Sequence, residues 1–232
     1  VSAAQRAAAD PEHRRGDRTG GASPSSVPAE VVVTRGRFIY LRTFTRADLK
    51  YLDRWCEDPS LDRLVGSEFL QLFRAYEKDP SFYDAVLNDP TQIVLMIVPN
   101  REPRAPVGLV RLMNIHQAEG YAGIETIVAD PRGIRRGYGV MASRLMAFYG
   151  LDVIGLRRLE AKAYAYNPLS INTLRRNGFT QEGVLRQAAY RDGQYWDIIV
   201  FGILREEIEE QRRKDPYLLP PETPGGEQRE PS

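Results

Sequence analysis

The chain has 232 residues, a length that holds one globular domain with extensions. Apolar residues make up 42% and charged residues 27%, as in a folded soluble domain, and a net charge of +1 gives no field pointing to nucleic acid or an anionic membrane. A lone cysteine, Cys56, excludes an internal disulfide framework, and with only two histidines beside it no metal site is expected.

In chain order, residues 1–30 are rich in Ala, Gly, Ser, Pro and Arg without apolar periodicity, and a disordered tail is expected there. Residues 220–232, with Pro-Pro-Glu-Thr-Pro-Gly-Gly, are expected to form a second one, leaving a domain over 31–219. Arg37 to Arg42 predicts a first strand. Thr45 caps a helix with Leu49, Leu52, Trp55 and Cys56 on one face. Phe69 to Leu87 predicts one or two helices interrupted at Pro80. Three β-rich runs follow, over Thr91–Val98, Pro106–Ile115 and Tyr121–Val128. A helix is predicted from Gly137 to Leu151, a strand over Arg158–Ala165, and a short helix over Leu169–Arg176 stopped by Asn177-Gly178. Two strands, Thr180–Tyr190 and Tyr195–Leu204, are joined by Arg191-Asp192-Gly193, whose Asp-Gly is a hairpin signal. The pattern is α/β in the α+β sense, a mixed sheet carrying helices. No run of about 18 apolar residues occurs and the N-terminal stretch lacks a signal-peptide layout, so a cytoplasmic protein without membrane or nucleic-acid partners is expected.

The run Ile127-Val128-Ala129-Asp130-Pro131-Arg132-Gly133-Ile134-Arg135-Arg136-Gly137-Tyr138-Gly139-Val140 joins a strand to a helix through a Gly- and Arg-rich loop. Glycines allow close approach of a ligand, and main-chain N–H groups converge at the helix start, where the dipole also favours negative charge. Arg132, Arg135 and Arg136 add cations able to pair with phosphate oxygens. These features describe a pyrophosphate cradle or, equally, a tight turn with solvated arginines. No Lys-Ser/Thr follows the glycines, which excludes a P-loop, and G-x-G-x-x-G is not matched.

Gly137-x-Gly139 resembles the acyl-CoA loop of the GNAT acetyltransferase superfamily, Arg/Gln-x-x-Gly-x-Gly/Ala, with Ile134 where Arg or Gln usually leads. Asn167-Pro168-Leu169-Ser170, Gly178-Phe179, Glu182-Gly183 and Asp197 in the terminal hairpin resemble the RimJ/RimL branch, which includes spermidine acetyltransferases. Leu41-Arg42 and Asp48-Leu49 are similar to the branch's opening strand and helix, so the resemblance spans about Val31 to Leu204.

The resemblance implies a central mixed sheet of about seven strands with about four helices, in which the parallel strands over Tyr121–Val128 and Arg158–Ala165 splay apart. It implies acetyl-CoA (or another acyl-CoA) as co-substrate, with pantetheine along Ile127 and Val128 and the phosphates over Arg132, Arg135, Arg136, Gly137, Tyr138, Gly139 and Val140. The acceptor is a primary amine of a small molecule, a polyamine or a peptide N-terminus, attacking the thioester directly without an enzyme-bound intermediate. Glu125 is a candidate base or a solvent-facing strand residue. Asn167 is a candidate pantetheine ligand or a turn residue before Pro168, and Ser170 either protonates the leaving thiolate or bonds the helix backbone. Leu174 occupies the position of the superfamily's usual acidic tyrosine, leaving Ser170, Tyr166 or solvent. With Ile134, this departure keeps open a non-catalytic acyl-CoA-binding or regulatory module, and a nucleotide-binding protein is a further reading. The branch often forms dimers, so a homodimer is compatible with it.

Overall fold

The computed structural model describes residues 30–76, 79–130, 133–134 and 136–214. The strands are β1 (Val32–Arg35), β2 (Ile39–Thr43), β3 (Ile93–Pro99), β4 (Gly108–His116), β5 (Tyr121–Val128), β6 (Arg158–Tyr164), β7 (Thr180–Arg191) and β8 (Gln194–Leu204). The α-helices are α1 (Leu49–Cys56), α2 (Pro59–Val65), α3 (Glu68–Ala75), α4 (Ser81–Asn88), α5 (Tyr138–Tyr149), α6 (Pro168–Arg176) and α7 (Arg205–Lys214). One eight-stranded sheet runs β1-β2-β3-β4-β5-β6-β8-β7, antiparallel except for β5 beside β6.

Among the described residues the sheet has one strand, and the fold three α-helices, more than expected. The strand predicted over Arg37–Arg42 forms as Ile39–Thr43, and the β-branched Val32-Val33-Thr34 adds β1, paired with it through a turn in which Gly36 N donates to Ile39 O. Pro80 separates α3 from α4. Helix α2 is a further one: Asp58 caps it by accepting from Ser60 N and Leu61 N, Pro59 opens it, and Gly66 closes it at φ +54°. The other, α7, has only Ile208 buried, so apolar periodicity could not announce it. Arg212 fixes it from outside the core, 2.8 Å from Asp152 and 4.4 Å above the Phe148 ring. The hairpin predicted at Asp192-Gly193 is present with both residues at positive φ, as a two-residue turn of that handedness requires. The tails expected over 1–30 and 220–232 lie outside the described residues except for Glu30, whose carboxylate is 3.3 Å from Arg42 Nε at the start of the sheet.

Two cores flank the sheet. Ile39, Leu41, Ile93, Leu95 and Ile124 pack against α5, α6 and α7 on one face, through Leu145, Met146, Leu174 and Ile208. On the other, Val94, Met96 and Ile127 pack against α1–α4, through Leu52, Trp55, Phe69, Phe73 and Phe82. Because the strand period is two, β5 sends Ile124 toward α5 while Glu125 and Ile127 face the α1–α4 side. A buried pair ties β2 to α1: Arg42 donates to both carboxylate oxygens of Asp48 at 2.7 Å, and Asp48 Oδ2 also accepts from Thr45 N and Oγ1. Burial opposes the Arg42 charge, but the Asp48 hydrogen bond and charge outweigh it and hold the guanidinium above its ordinary value.

Candidate active site

The parallel pairing of β5 with β6 covers only Tyr121–Gly123 against Arg158–Glu160. Beyond Gly123, β5 keeps its ladder with β4 up to Val128, and β6 keeps its ladder with β8 up to Tyr164, but the two strands pair no further. Half of β5 therefore presents a sheet edge inside the sheet, where an extended ligand can take the main-chain hydrogen bonds that a neighbouring strand would otherwise supply. The Ile127 carbonyl turns the other way, toward β4, since a Cβ added to Gly108 would lie 2.0 Å from its oxygen. Extended backbone alternates direction, so Val128 faces its main-chain groups away from β4.

The loop after β5 closes one end of this gap. The Val128 side chain lies against both Gly133 and Gly139, where added Cβ atoms would be 2.9 and 3.4 Å from its methyls. Gly137 is the N-cap of α5 at φ +71°, and among the described residues a Cβ there would meet nothing within 4 Å. Among those residues the space above this glycine is open and no side chain caps the helix. The first-turn N–H groups of Tyr138, Gly139 and Val140 lack intrahelical partners by helix geometry and point into that space. The Tyr138 side chain is buried in the core beneath, so only its main chain is available to a ligand. Ser143 locks α5 to β5, donating to Gly139 O at 2.9 Å and lying 2.8 Å from Thr126 Oγ1. Arg136 is exposed on the turn; Arg132 and Arg135 lie outside the described residues. The open αL glycine and the uncapped twelve-residue helix fit the pyrophosphate of an acyl-CoA.

Across the gap, Asn167 and Ser170 begin α6. Asn167 is buried and accepts from Ser170 N at 3.1 Å, while its Nδ2 donates to Ser170 Oγ at 2.8 Å. The cap of the helix is thus Asn167, and Ser170 is the residue it holds. Leu174 is buried in the core with α5 and offers no polar atom. Tyr166 donates its hydroxyl proton to Arg63 O at 2.9 Å and stacks on Tyr164 with ring centroids 5.2 Å apart. Burial raises the Tyr166 pKa.

Glu125 stands directly opposite Arg111 in the β4–β5 ladder, and Arg111 Nε donates to Glu125 Oε2 at 2.5 Å. The Arg111 side chain is 8% exposed and that of Glu125 16%. Arg111 also reaches Gln92 Oε1 at 3.5 Å and covers the Phe69 ring of α3 at 5.1 Å. Glu125 is therefore half of an ion pair facing α3, with one carboxylate oxygen engaged. Arg111 carries no role in the expectations from sequence, although an arginine inside Val107-Gly108-Leu109-Val110-Arg111-Leu112-Met113 was a visible signal.

Tyr164, at the end of β6, is held under the C-cap of α2. Its ring leaves no room for a Cβ on Gly66, at 2.4 Å, and Arg191 from the hairpin lies 5.7 Å above it. Arg63 pairs with Asp192 at 3.0 Å, joining α2 to the hairpin tip. The gap is thus bounded by β5, α3, the end of α2, β6 and the β7–β8 hairpin. Among the described residues no group of three or more His, Cys, Asp or Glu is placed to hold a metal ion, and no helix is long and apolar enough to cross a membrane.

Residues 39–180, more than half of the chain, match the family described as acetyltransferase (GNAT) domain. The spermidine N(1)-acetyltransferase of Escherichia coli K12 is 25% identical over 81% of this chain and 92% of its own length. The alpha/beta-tubulin-N-acetyltransferase 9 of Mus musculus is 26% identical over 78% of this chain and 81% of its own. Among solved structures, spermidine N-acetyltransferase from Vibrio cholerae in complex with CoA and spermine superposes with a TM-score of 0.63 at 18% identity, covering 74% of this chain and 98% of that one.

Proposed function

The chain belongs to the GNAT acetyltransferase family, and from that premise we propose that it moves the acetyl group of acetyl-CoA onto a primary amine of a polyamine. The observation that carries the transfer is the opened β5–β6 ladder beside Gly137, a sheet edge and an anion cradle at the two ends of one gap. Pantetheine would extend along the free edge of β5 near Val128, and the pyrophosphate would rest over Gly137 and the first turn of α5. The polyamine acceptor is supported by the relatives that act on spermidine and by the partly open Glu125 carboxylate on the α1–α4 side.

In this reading the neutral amine attacks the thioester carbonyl, a C–N bond forms, and collapse of the tetrahedral intermediate breaks the C–S bond. Glu125 receives the ammonium proton through its second oxygen, Oε1. The thiolate needs a proton in return, and Ser170 is the proposed donor, its hydroxyl proton being replaced from solvent in the same step. Its oxygen already accepts from Asn167 Nδ2, which leaves the hydroxyl hydrogen free to be given. Leu174 has no proton to offer, and that of Tyr166 is engaged by Arg63 O. Positioning of the two substrates supplies much of the acceleration. The catalytic domain is proposed to occupy 31–219. A homodimer formed along β7 is proposed from its place at the edge of the sheet among the described residues and from Val184 and Leu185, each more than two-fifths exposed.

Calorimetry with acetyl-CoA on Gly137→Asn and Gly137→Asp tests the cradle. Both residues tolerate positive φ and have the same shape, so their difference isolates charge. Asn is expected to bind within about tenfold of wild type and Asp at least about tenfold more weakly than Asn, as one added charge beside a phosphate implies. Equal binding by the two variants would refute the cradle. Turnover of spermidine and spermine against a peptide α-amine then assigns the acceptor, and exclusive turnover of the peptide would replace the polyamine.

A further inference from the structure

The Arg111–Glu125 pair is a costly way to build a strand. Two charges taken from water must recover their hydration from each other, and an apolar cross-strand pair would fill the same place without that cost. Stability alone therefore does not account for it. Its geometry gives it another use. The guanidinium is fixed on three sides, by Glu125 Oε2 at 2.5 Å, by Gln92 Oε1 at 3.5 Å and by the Phe69 ring at 5.1 Å. Gln92 is itself held, donating from Nε2 to Asp89 Oδ2 at 2.9 Å. A chain of side chains from the end of α4 thus runs through the start of β3 and through β4 to a single carboxylate on β5, at the point where β5 has lost its pairing with β6.

We propose that Arg111 is a positioning residue for acetyl transfer: it occupies Glu125 Oε2 and so turns Oε1 toward the acceptor amine. The proposal rests on Glu125 being the group that meets the amine. Oε1 has no hydrogen-bond partner among the described residues, and Glu125 is the more exposed member of the pair, so Oε1 is the atom left for an incoming ligand. Without Arg111 the carboxylate would rotate about its side-chain torsions, and the amine would meet a distribution of orientations instead of one.

The test is a double-mutant cycle in the full chain with Arg111→Met, Glu125→Gln and both together, with Arg111→Lys as the conservative variant. Glu125→Gln is expected to lower kcat about 100-fold, the usual scale for losing a proton acceptor. Arg111→Met should lower kcat at least about tenfold with the KM for acetyl-CoA within about twofold of wild type, the split expected of a change confined to the transition state. Arg111→Lys should recover part of kcat. The double variant should be no slower than Glu125→Gln alone, because Arg111 acts only through that carboxylate. Its thermal unfolding should lie near wild type, since it leaves no charge unpaired, which separates lost positioning from lost folding. Unchanged kcat in a folded Arg111→Met, or a further loss in the double variant, overturns the proposal and leaves acetyl transfer standing. A wild type that neither binds acetyl-CoA nor acetylates an amine overturns acetyl transfer itself, and the role of Arg111 with it.

Discussion

Strand β3 is buried along its whole length, whereas β7 leaves most of its residues exposed. The first belongs to a half of the sheet, β1 to β5, packed by α1–α4 on one face and by α5 on the other. The second belongs to an arm, β6-β8-β7, in which Leu159, Ala161, Ala163, Phe201 and Ile203 of β6 and β8 lie in the core with α5, α6 and α7. Three residue pairs between β5 and β6 join the two at one end, and the candidate site lies where they part. A doubly covered half fixes the position of Glu125 and the cradle, and a lightly covered arm brings Ser170 and Tyr164 to the opposite wall. Precision and access are thereby assigned to different parts of one sheet.

Substitutions separate the two halves by size of effect. In the covered half, Asp48→Ala leaves Arg42 buried without its bidentate partner and uncaps the turn at Thr45. A loss of about 3–5 kcal/mol in denaturant unfolding is expected from breaking a buried pair by one member. A loss under about 1 kcal/mol would place the stability of this half elsewhere.

In the arm, the comparable pair is Arg158 with Glu182, bidentate across β8 and passing over Gly202. A Cβ on Gly202 would lie 2.4 Å from Glu182 Oε1 and 2.7 Å from Arg158 Nη1, so Gly202→Ala displaces the bridge. The atoms it meets are ends of partly exposed side chains, and the cost is expected to be about 1 kcal/mol or less. A loss as large as that of Asp48→Ala would erase the contrast between the halves.

The smallest effect belongs to Tyr149 at the end of α5, whose hydroxyl is buried without a partner among the described residues. Burial pushes its pKa from 10.0 up to about 12. The folded state then holds the phenolic proton more tightly than the unfolded chain, so the stability it contributes is complete below pH 10 and is lost as pH rises toward 12. Tyr149→Phe is expected to change stability at neutral pH by less than about 1 kcal/mol and to flatten the decline between those pH values. An unchanged alkaline decline in unfolding curves would remove Tyr149 as its source.

The same contrast governs what was legible in the sequence. β3 and β5 are announced by apolar and β-branched runs, and the hairpin by Asp192-Gly193, because each is decided locally. Helix α7 is not, because its ten residues bury only Ile208 and it is held by Arg212 reaching across to Asp152 and Phe148. In the site, the positive φ of Gly137 at a strand-to-helix junction is legible, since it is a demand on one residue. The partnership of Arg111 with Glu125 was not, since it depends on the register of β4 against β5, which no spacing within either strand specifies. Asn167 and Ser170 stand three residues apart at the start of a predicted helix, but which of them caps α6 is settled by two hydrogen bonds, at 3.1 and 2.8 Å.

Amide hydrogen exchange with and without acetyl-CoA tests most directly whether the gap between the halves is the acyl-donor site. Slowed exchange is predicted at Val128 and across Gly137, Tyr138, Gly139 and Val140, with little change over Tyr121–Gly123, where β5 is already paired on both sides. Saturating acetyl-CoA that leaves Val128 and the first turn of α5 exchanging at their free rates would contradict the account.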